Sequence, residues 1–225
     1  MADKRRIIMF VKVPEKGVVK SRLIASVGEG AARLLYQYFV DDLIEMLRMG
    51  GYPFVISFDP PDAMAEIRRW LGKKHIFIPQ AGDDLGERMK NAFAGTFSEG
   101  VSSAVLIGSD SPDLTKEILA KAFAALDDHN TVIGPSHDGG YYLIGFNKNT
   151  FMPEVFNNIP WSTPEVFSRT MDILIKGNCR VHVLPEWRDI DTIDDLRALF
   201  SNCAKTAFAG SETMKYLRKK KGELL

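Results

Sequence analysis

Cysteine is nearly absent. Cys179 and Cys203 are the only two in a chain of 225 residues. Two thiols make no disulfide framework and are too few for a thiolate zinc cluster, so a reducing compartment is the simpler reading. An excess of charge is absent too. Lys plus Arg number 29 and Asp plus Glu number 29, for a net charge of zero. No global field therefore favours nucleic acid or an anionic membrane, and any anion site must be local. Long apolar runs are missing as well. Asp3, Lys4, Arg5 and Arg6 precede a strand-length run that is too short for a signal-peptide core. No stretch approaches the roughly 20 residues needed to cross a bilayer. The expectation is a cytoplasmic protein with neither nucleic acid nor membrane among its partners. What is present is ordinary for a globular protein, with 45% apolar and 26% charged residues. The length suits one large domain with a substantial core. No repeat, low-complexity linker or internal boundary stands out, so residues 1–225 read as a single domain.

Short apolar runs alternate with longer helical patterns. Strands are expected at Ile7–Val13, Phe54–Phe58, Ile76–Ile78, Ala104–Gly108, Thr131–Gly134, Tyr141–Phe146 and Arg180–Leu184. Gly28–Met49 predicts a long helix with Leu35, Phe39, Leu43 and Met46 on one face. Further helices are expected up to Trp70, over Asp84–Phe97 and over Thr115–Leu126. Ser162-Thr163-Pro164-Glu165 suggests a capping box with proline in the first turn. Thr192 to Asp195 suggests a second, opening a C-terminal helical tail from about residue 192 whose Arg218–Lys221 end is solvated. Strands separated by helices imply an α/β fold, a three-layer α/β/α sandwich around a mostly parallel sheet. In such sheets ligands bind where loops leave the carboxyl ends of the strands.

Four segments attract attention. Lys12 to Leu23 is basic and directly follows a buried strand, with Gly17 able to turn tightly. Lys20 and Arg22 suit phosphate oxygens, although neither the Walker nor the GxGxxG signature is present. A merely solvated basic loop fits the spacing equally well. Gly108 to Leu114 follows the most apolar strand, and its Asp110 and Asp113 are hard oxygen donors of the kind that bind Mg²⁺ or Mn²⁺. The alternative is a turn in which Asp113 or Thr115 caps the next helix. Gly134 to Gly145 pairs Gly139 and Gly140 between two strands, with Asp138 and two tyrosines facing a ligand or, alternatively, forming a simple hairpin. Asp189 to Asp195 holds four acids in seven residues. The helix dipole accounts for Asp194 and Asp195 but not for Asp189 and Asp191, one of which could complete a metal shell opposite Asp110.

The segments KVPEKGVVKSRL, GDDLGERM, IGSDSPDL, GPSHDGGYYLIG, PWST and DIDTIDDL occur in this order. Together they resemble the DUF2064 family, bacterial proteins related to nucleotide-diphospho-sugar transferases, over about residues 5–200. The resemblance implies a glycosyltransferase-A fold and, more distantly, likeness to nucleotidyltransferases that activate phospholactate, molybdenum cofactor and sugar acids. It implies that Lys12, Lys20 and Arg22, with Pro14 in the same loop, hold nucleotide phosphates. It places Asp84, Gly86 and Arg88 beside the base or ribose. It implies a Mg or Mn ion on Asp110 and Asp191, and an acceptor near Gly139, Gly140 and Tyr141 with Trp161 and Ser162 closing above. Asp138 or Asp189 would deprotonate the acceptor. The aspartate signature, Ser-Asp-Ser-Pro-Asp, departs from a strict DxD and leaves the number of metals open. The expected partners are a nucleotide or nucleotide-sugar and a small acceptor, and a homodimer is compatible with the sequence. The expected activity is metal-dependent glycosyl transfer. Nucleotidyl transfer with pyrophosphate release is the alternative, and a non-catalytic nucleotide sensor a second one.

Overall fold

The computed structural model describes residues 4–14 and 19–224. The tight turn expected at Gly17 lies outside the described residues. In chain order the elements are β1 (Arg5–Lys12), α1 (Ser21–Val27), α2 (Glu29–Gly50), β2 (Phe54–Asp59), α3 (Met64–Leu71), β3 (Phe77–Pro79), α4 (Leu85–Ser98) and β4 (Ser103–Ile107). Then follow α5 (Lys116–Asp128), β5 (Thr131–Pro135), β6 (Tyr141–Asn147), α6 (Val166–Lys176), β7 (Val181–Val183), α7 (Ile193–Asn202), α8 (Glu212–Lys219) and α9 (Lys221–Leu224). Short 3-10 turns lie at Lys148–Thr150, Pro153–Phe156 and Ala207–Gly210.

Among the described residues, one sheet of seven strands runs in the order β3-β2-β1-β4-β6-β5-β7. All strands share one direction except β6, which pairs antiparallel with both β4 and β5. The sheet is therefore mixed, and the reason is local. Only the short loop Ser136–Gly140 joins β5 to β6, whereas a parallel return needs a crossover of about a dozen residues or more. Central β4 carries no charged residue and is buried from Ala104 to Ile107, as its cover on both faces requires.

One face of the sheet packs against α2 and α5 through Val40, Leu43, Leu47, Leu119 and Phe123. The other packs against α4, α6 and the 3-10 turn at Pro153–Phe156 through Phe93, Phe97, Phe146, Phe156 and Leu174. These layers are the expected α/β/α sandwich. A third cluster, with Leu23, Leu35, Phe39, Leu196, Met214 and Leu217, joins α1, α2, α7 and α8 away from the sheet. The C-terminal segment is thus a helical layer docked on the back of α2, not a loose tail. Asp42 on α2 anchors it, since its carboxylate accepts from the backbone amides of Glu212 at 2.8 Å and Thr213 at 3.0 Å. Those amides are orphan donors of the first turn of α8, so the carboxylate acts as a cap from another helix.

Most element ends shift by one or two residues, and two segments depart further from the sequence expectation. The basic segment after β1 turns helical at Ser21, so Arg22 lies on α1. Ser162 does not cap α6. It has φ 65°, the helix begins only at Val166, and Thr163 Oγ1 accepts from the Glu165 amide instead. The Thr192–Asp195 capping box is present with both reciprocal bonds.

Candidate functional site

Because six strands run in one direction, the loops after β1, β2, β3, β4, β5 and β7 all leave the same edge of the sheet. The sequence segments singled out above lie on those loops. They are stitched to one another. The Ile190 amide donates to the Asp110 carbonyl at 2.8 Å, and Trp187 Nε1 donates to Asp113 Oδ1 at 3.0 Å. The His137 amide donates to the Trp187 carbonyl at 3.2 Å. Asp113 therefore ties two loops together and does not cap α5. Below them, the Tyr36 hydroxyl on α2 accepts from the Lys12 amide at 2.8 Å and hydrogen-bonds Ser109 Oγ at 2.9 Å. Tyr36 and Ser109 fix the ends of β1 and β4 from inside the core, and burial pushes the Tyr36 phenol well above its ordinary range.

The centre of this edge is Lys20. Its Nζ lies 2.5 Å from Asp110 Oδ1 and 3.0 Å from Asp191 Oδ1. The lysine side chain is 2% exposed, while those of Asp110 and Asp191 are 49% and 38% exposed. The cation is thus the buried member of the trio, and the carboxylates stand between it and solvent. Burial acts to lower the lysine pKa, but Asp110 and Asp191 outweigh it and hold the ammonium above its ordinary value. The Phe39 ring lies 5.5 Å beneath the ammonium. Lys20 also has a left-handed backbone, φ 53° and ψ 44°. That conformation costs a non-glycine residue about 1–2 kcal/mol, which the surrounding contacts must offset.

Asp189 stands beside this trio. Ser111 Oγ donates to its Oδ1 at 2.6 Å. Burial is the main cause that raises its pKa to about 6, with the charges of Asp110 and Asp138 adding to it. The Ser111 bond and the Lys20 charge oppose that rise. A carboxyl group with a pKa near 6 suits proton abstraction at neutral pH. Ser111 was not anticipated from the sequence. Its role depends on a residue 78 positions away.

Asp138, the other expected base, is engaged differently. Its Oδ1 accepts from Ser136 Oγ at 2.5 Å and from the Gly140 amide at 2.9 Å. This is an Asx turn that shapes the hairpin between β5 and β6. Gly139 has φ 87°, and a Cβ there would lie 2.3 Å from the Pro164 carbonyl. Its own carbonyl accepts from the Phe167 amide at 2.8 Å. The missing side chain is thus explained by packing of the hairpin against the start of α6. Gly139→Ala is expected to destabilise the protein by about 1–3 kcal/mol through left-handed strain and this contact. Urea unfolding of the variant checks it, and an unchanged midpoint would mean that neither the left-handed strain nor the Pro164 contact costs stability.

Trp161, Gly86 and Tyr141 form a second group. A Cβ on Gly86 would lie 2.8 Å from the Trp161 ring and 2.5 Å from the Phe156 carbonyl, so only glycine lets the indole approach α4 this closely. Tyr141 meets the same indole edge-on at 6.4 Å between centroids. Ser162 follows as an exposed residue. Asp84 is the N-cap of α4, accepting from the Glu87 amide at 2.8 Å. Arg88 pairs with Asp59 at 2.8 Å and donates Nε to the Gly82 carbonyl at 3.2 Å, which ties α4 to the end of β2. Lys12 and Arg22 are exposed on either side of the Lys20 segment, and Pro14 is buried. The structure thus brings Lys20, Asp110, Asp189 and Asp191 together, while Asp84, Gly86, Arg88, Asp138 and Gly139 each have a structural partner.

Asp110 and Asp191, the expected Mg or Mn ligands, both contact the Lys20 ammonium. The ammonium of Lys20 sits where Asp110 and Asp191 would share a cation. Among the described residues no group of three or more His, Cys, Asp or Glu side chains is arranged to hold a metal. Also among the described residues, no helix is long and apolar enough to cross a membrane.

Comparison with solved structures supports the same fold. A candidate nucleotide-diphospho-sugar transferase from Desulfovibrio desulfuricans G20 is 40% identical with a TM-score of 0.94, covering 98% of this chain and 96% of that one. At 13% identity and a TM-score of 0.57, the chain also matches a 4-diphosphocytidyl-2C-methyl-D-erythritol synthase from Anaerococcus prevotii DSM 20548, over 96% of this chain and 97% of that one. A CMP:2-keto-3-deoxy-manno-octonic acid synthetase complexed with CTP matches at 12% identity and a TM-score of 0.53, over 88% of this chain and 98% of that one. The last two show the fold alone. No curated protein matches in sequence. A family model described as an uncharacterized protein conserved in bacteria, DUF2064, matches residues 43–163, more than half of the chain, and the chain belongs to that family.

Proposed function

We propose that the chain is a transferase that takes a nucleotide-sugar and passes its sugar to a small acceptor. The observation that carries this reading is Asp189, a partly buried carboxyl with a pKa of about 6 at the ligand-binding edge of the sheet. In this reading the acceptor hydroxyl gives its proton to Asp189 Oδ2 as it attacks the anomeric carbon. The glycosidic bond to the diphosphate breaks, and the pair of electrons leaves with the nucleoside diphosphate. Ser111 holds the other carboxylate oxygen still. In this reading the exposed Lys12 and Arg22 supply the cations that meet the diphosphate. The tyrosine–tryptophan wall of Tyr141 and Trp161 offers an apolar flank for the acceptor. The relative from Desulfovibrio desulfuricans, by its name, supports a nucleotide-diphospho-sugar substrate.

A thermal-shift panel of nucleoside triphosphates and nucleotide-sugars, each with Mn²⁺ or with EDTA, tests the reading. A ligand at about 100 times its Kd adds about 2.7 kcal/mol to the folded state, which is readily seen as a higher melting temperature. The expected result is a larger shift with one nucleotide-sugar than with the matching triphosphate. A shift with a triphosphate alone would replace glycosyl transfer by nucleotidyl transfer. No shift with any of them would leave a non-catalytic role.

A further inference from the structure

We propose that the Lys20 ammonium is the cation held by Asp110 and Asp191 in the free protein, and that a divalent cation binds these carboxylates only by displacing it. The inference concerns the acid pair itself and stands whichever transfer reaction the chain performs.

The geometry points to competition. Lys20 reaches the carboxylates from the protein side, 2% exposed, and both contacts are made by Oδ1 atoms, at 2.5 Å and 3.0 Å. Both aspartates remain open to solvent on their outer sides at 49% and 38% exposure. A hydrated divalent cation therefore has access to the pair, and what it meets there is a positive charge already in place. Two carboxylates facing one ammonium sum to a charge of minus one. Without the ammonium the sum is minus two, on hard oxygen donors of the kind Mn²⁺ prefers. Holding the ammonium there requires a left-handed backbone at Lys20 and burial of an amine, both unfavourable in isolation. The attraction of the two aspartates is the term that offsets them. The Oδ1 atoms through which the two aspartates would share a divalent cation are the ones the ammonium already occupies.

The test titrates the full chain with Mn²⁺ alone, without nucleotide, reading free Mn²⁺ by electron paramagnetic resonance. Lys20→Met keeps the length and apolar stem of the side chain and removes its charge. It is expected to bind Mn²⁺ at least about 10-fold more tightly than the unaltered protein, since a charge-assisted contact of this kind is worth a factor of that order. Lys20→Arg keeps the charge and should stay as weak as the unaltered protein. Lys20→Met with Asp110→Asn should lose the gain. An unchanged or weaker Mn²⁺ affinity in a folded Lys20→Met protein overturns the proposal. Should that variant fail to fold, the unaltered protein serves. Acetylation of its amines, read by mass spectrometry, should label Lys20 poorly without Mn²⁺ and more strongly once Mn²⁺ is bound. Protection of Lys20 that persists at Mn²⁺ concentrations that raise the melting temperature would equally overturn it.

Discussion

Asp189→Asn is expected to lower kcat by about 100-fold to 10,000-fold, the range typical for removal of a general base, and at the same time to raise the melting temperature above pH 6. The two effects share one cause. Burial, together with Asp110 and Asp138, lifts the Asp189 carboxyl from the ordinary carboxylate range to about 6. Between about pH 4 and pH 6 the folded protein therefore binds more protons at this site than the unfolded chain does. Where the native state binds the extra proton, stability falls as pH rises. The loss is complete above pH 6 and amounts to about 3 kcal/mol at most, taking about 1.4 kcal/mol per pH unit. Asparagine carries no charge and its Oδ1 still accepts from Ser111. The variant should melt higher than the parent at pH 8 and match it near pH 4. Activity of the parent should fall as pH drops below 6, because the base is then protonated. The measurements are melting curves at both pH values and a pH–rate profile with the donor that the ligand panel identifies. Activity within about tenfold of the parent would remove Asp189 from the chemistry, and equal melting at pH 8 would remove the burial argument.

This coupling explains why one part of the site was legible in the sequence and another was not. Local devices were readable because their partners are three or four residues apart. The Thr192–Asp195 capping box is one such case, and the amphipathic face of α2 is another. The strand-end location of Asp110 followed from the apolar run before it. The Ser162 cap failed for an equally local reason, a positive φ that a serine cap does not adopt. The pairing of charges was beyond reach. Lys20 meets an aspartate 171 positions away, and the Tyr36 hydroxyl meets a serine 73 positions away. Sequence reading therefore assigned Lys20 to phosphate and Asp110 to a metal as separate roles, while the fold joins them in one ion cluster. The reversal of β6 was implicit in the shortness of the Ser136–Gly140 loop, although the alternation of strands and helices masked it. Helix α8 is short, and what holds it, the Asp42 carboxylate, lies on a distant helix.

Phe93→Ala carries the largest expected effect on stability. Phe93 is fully buried on α4 and touches four other aromatic rings. It stacks on Phe97 and Phe156 at 6.0 Å and meets Phe146 edge-on at 5.1 Å. These rings come from α4, β6 and the 3-10 turn at Pro153–Phe156, so truncation cannot be healed by the shift of a single element. The loss should be about 3–5 kcal/mol, the usual range for a buried phenylalanine that leaves a cavity. For a chain of this length that corresponds to roughly 10 °C in melting temperature. Phe93→Leu, which fills most of the volume, should lose less than half as much. The same cluster supports the Phe156 carbonyl against Gly86, and through it the position of Trp161. The acid cluster rests instead on Tyr36 and Ser109, across the sheet. The aromatic layer on one face and the acid cluster at the sheet edge have no common partner among the described residues in these contacts and should be energetically independent. Introduced into Phe93→Ala, Asp189→Asn should therefore stabilise the protein at pH 8 by the same increment as it does in the parent, to within about 0.5 kcal/mol. A larger discrepancy in urea unfolding would mean that the aromatic layer and the acid edge move as one unit, and that the sheet transmits strain between its faces.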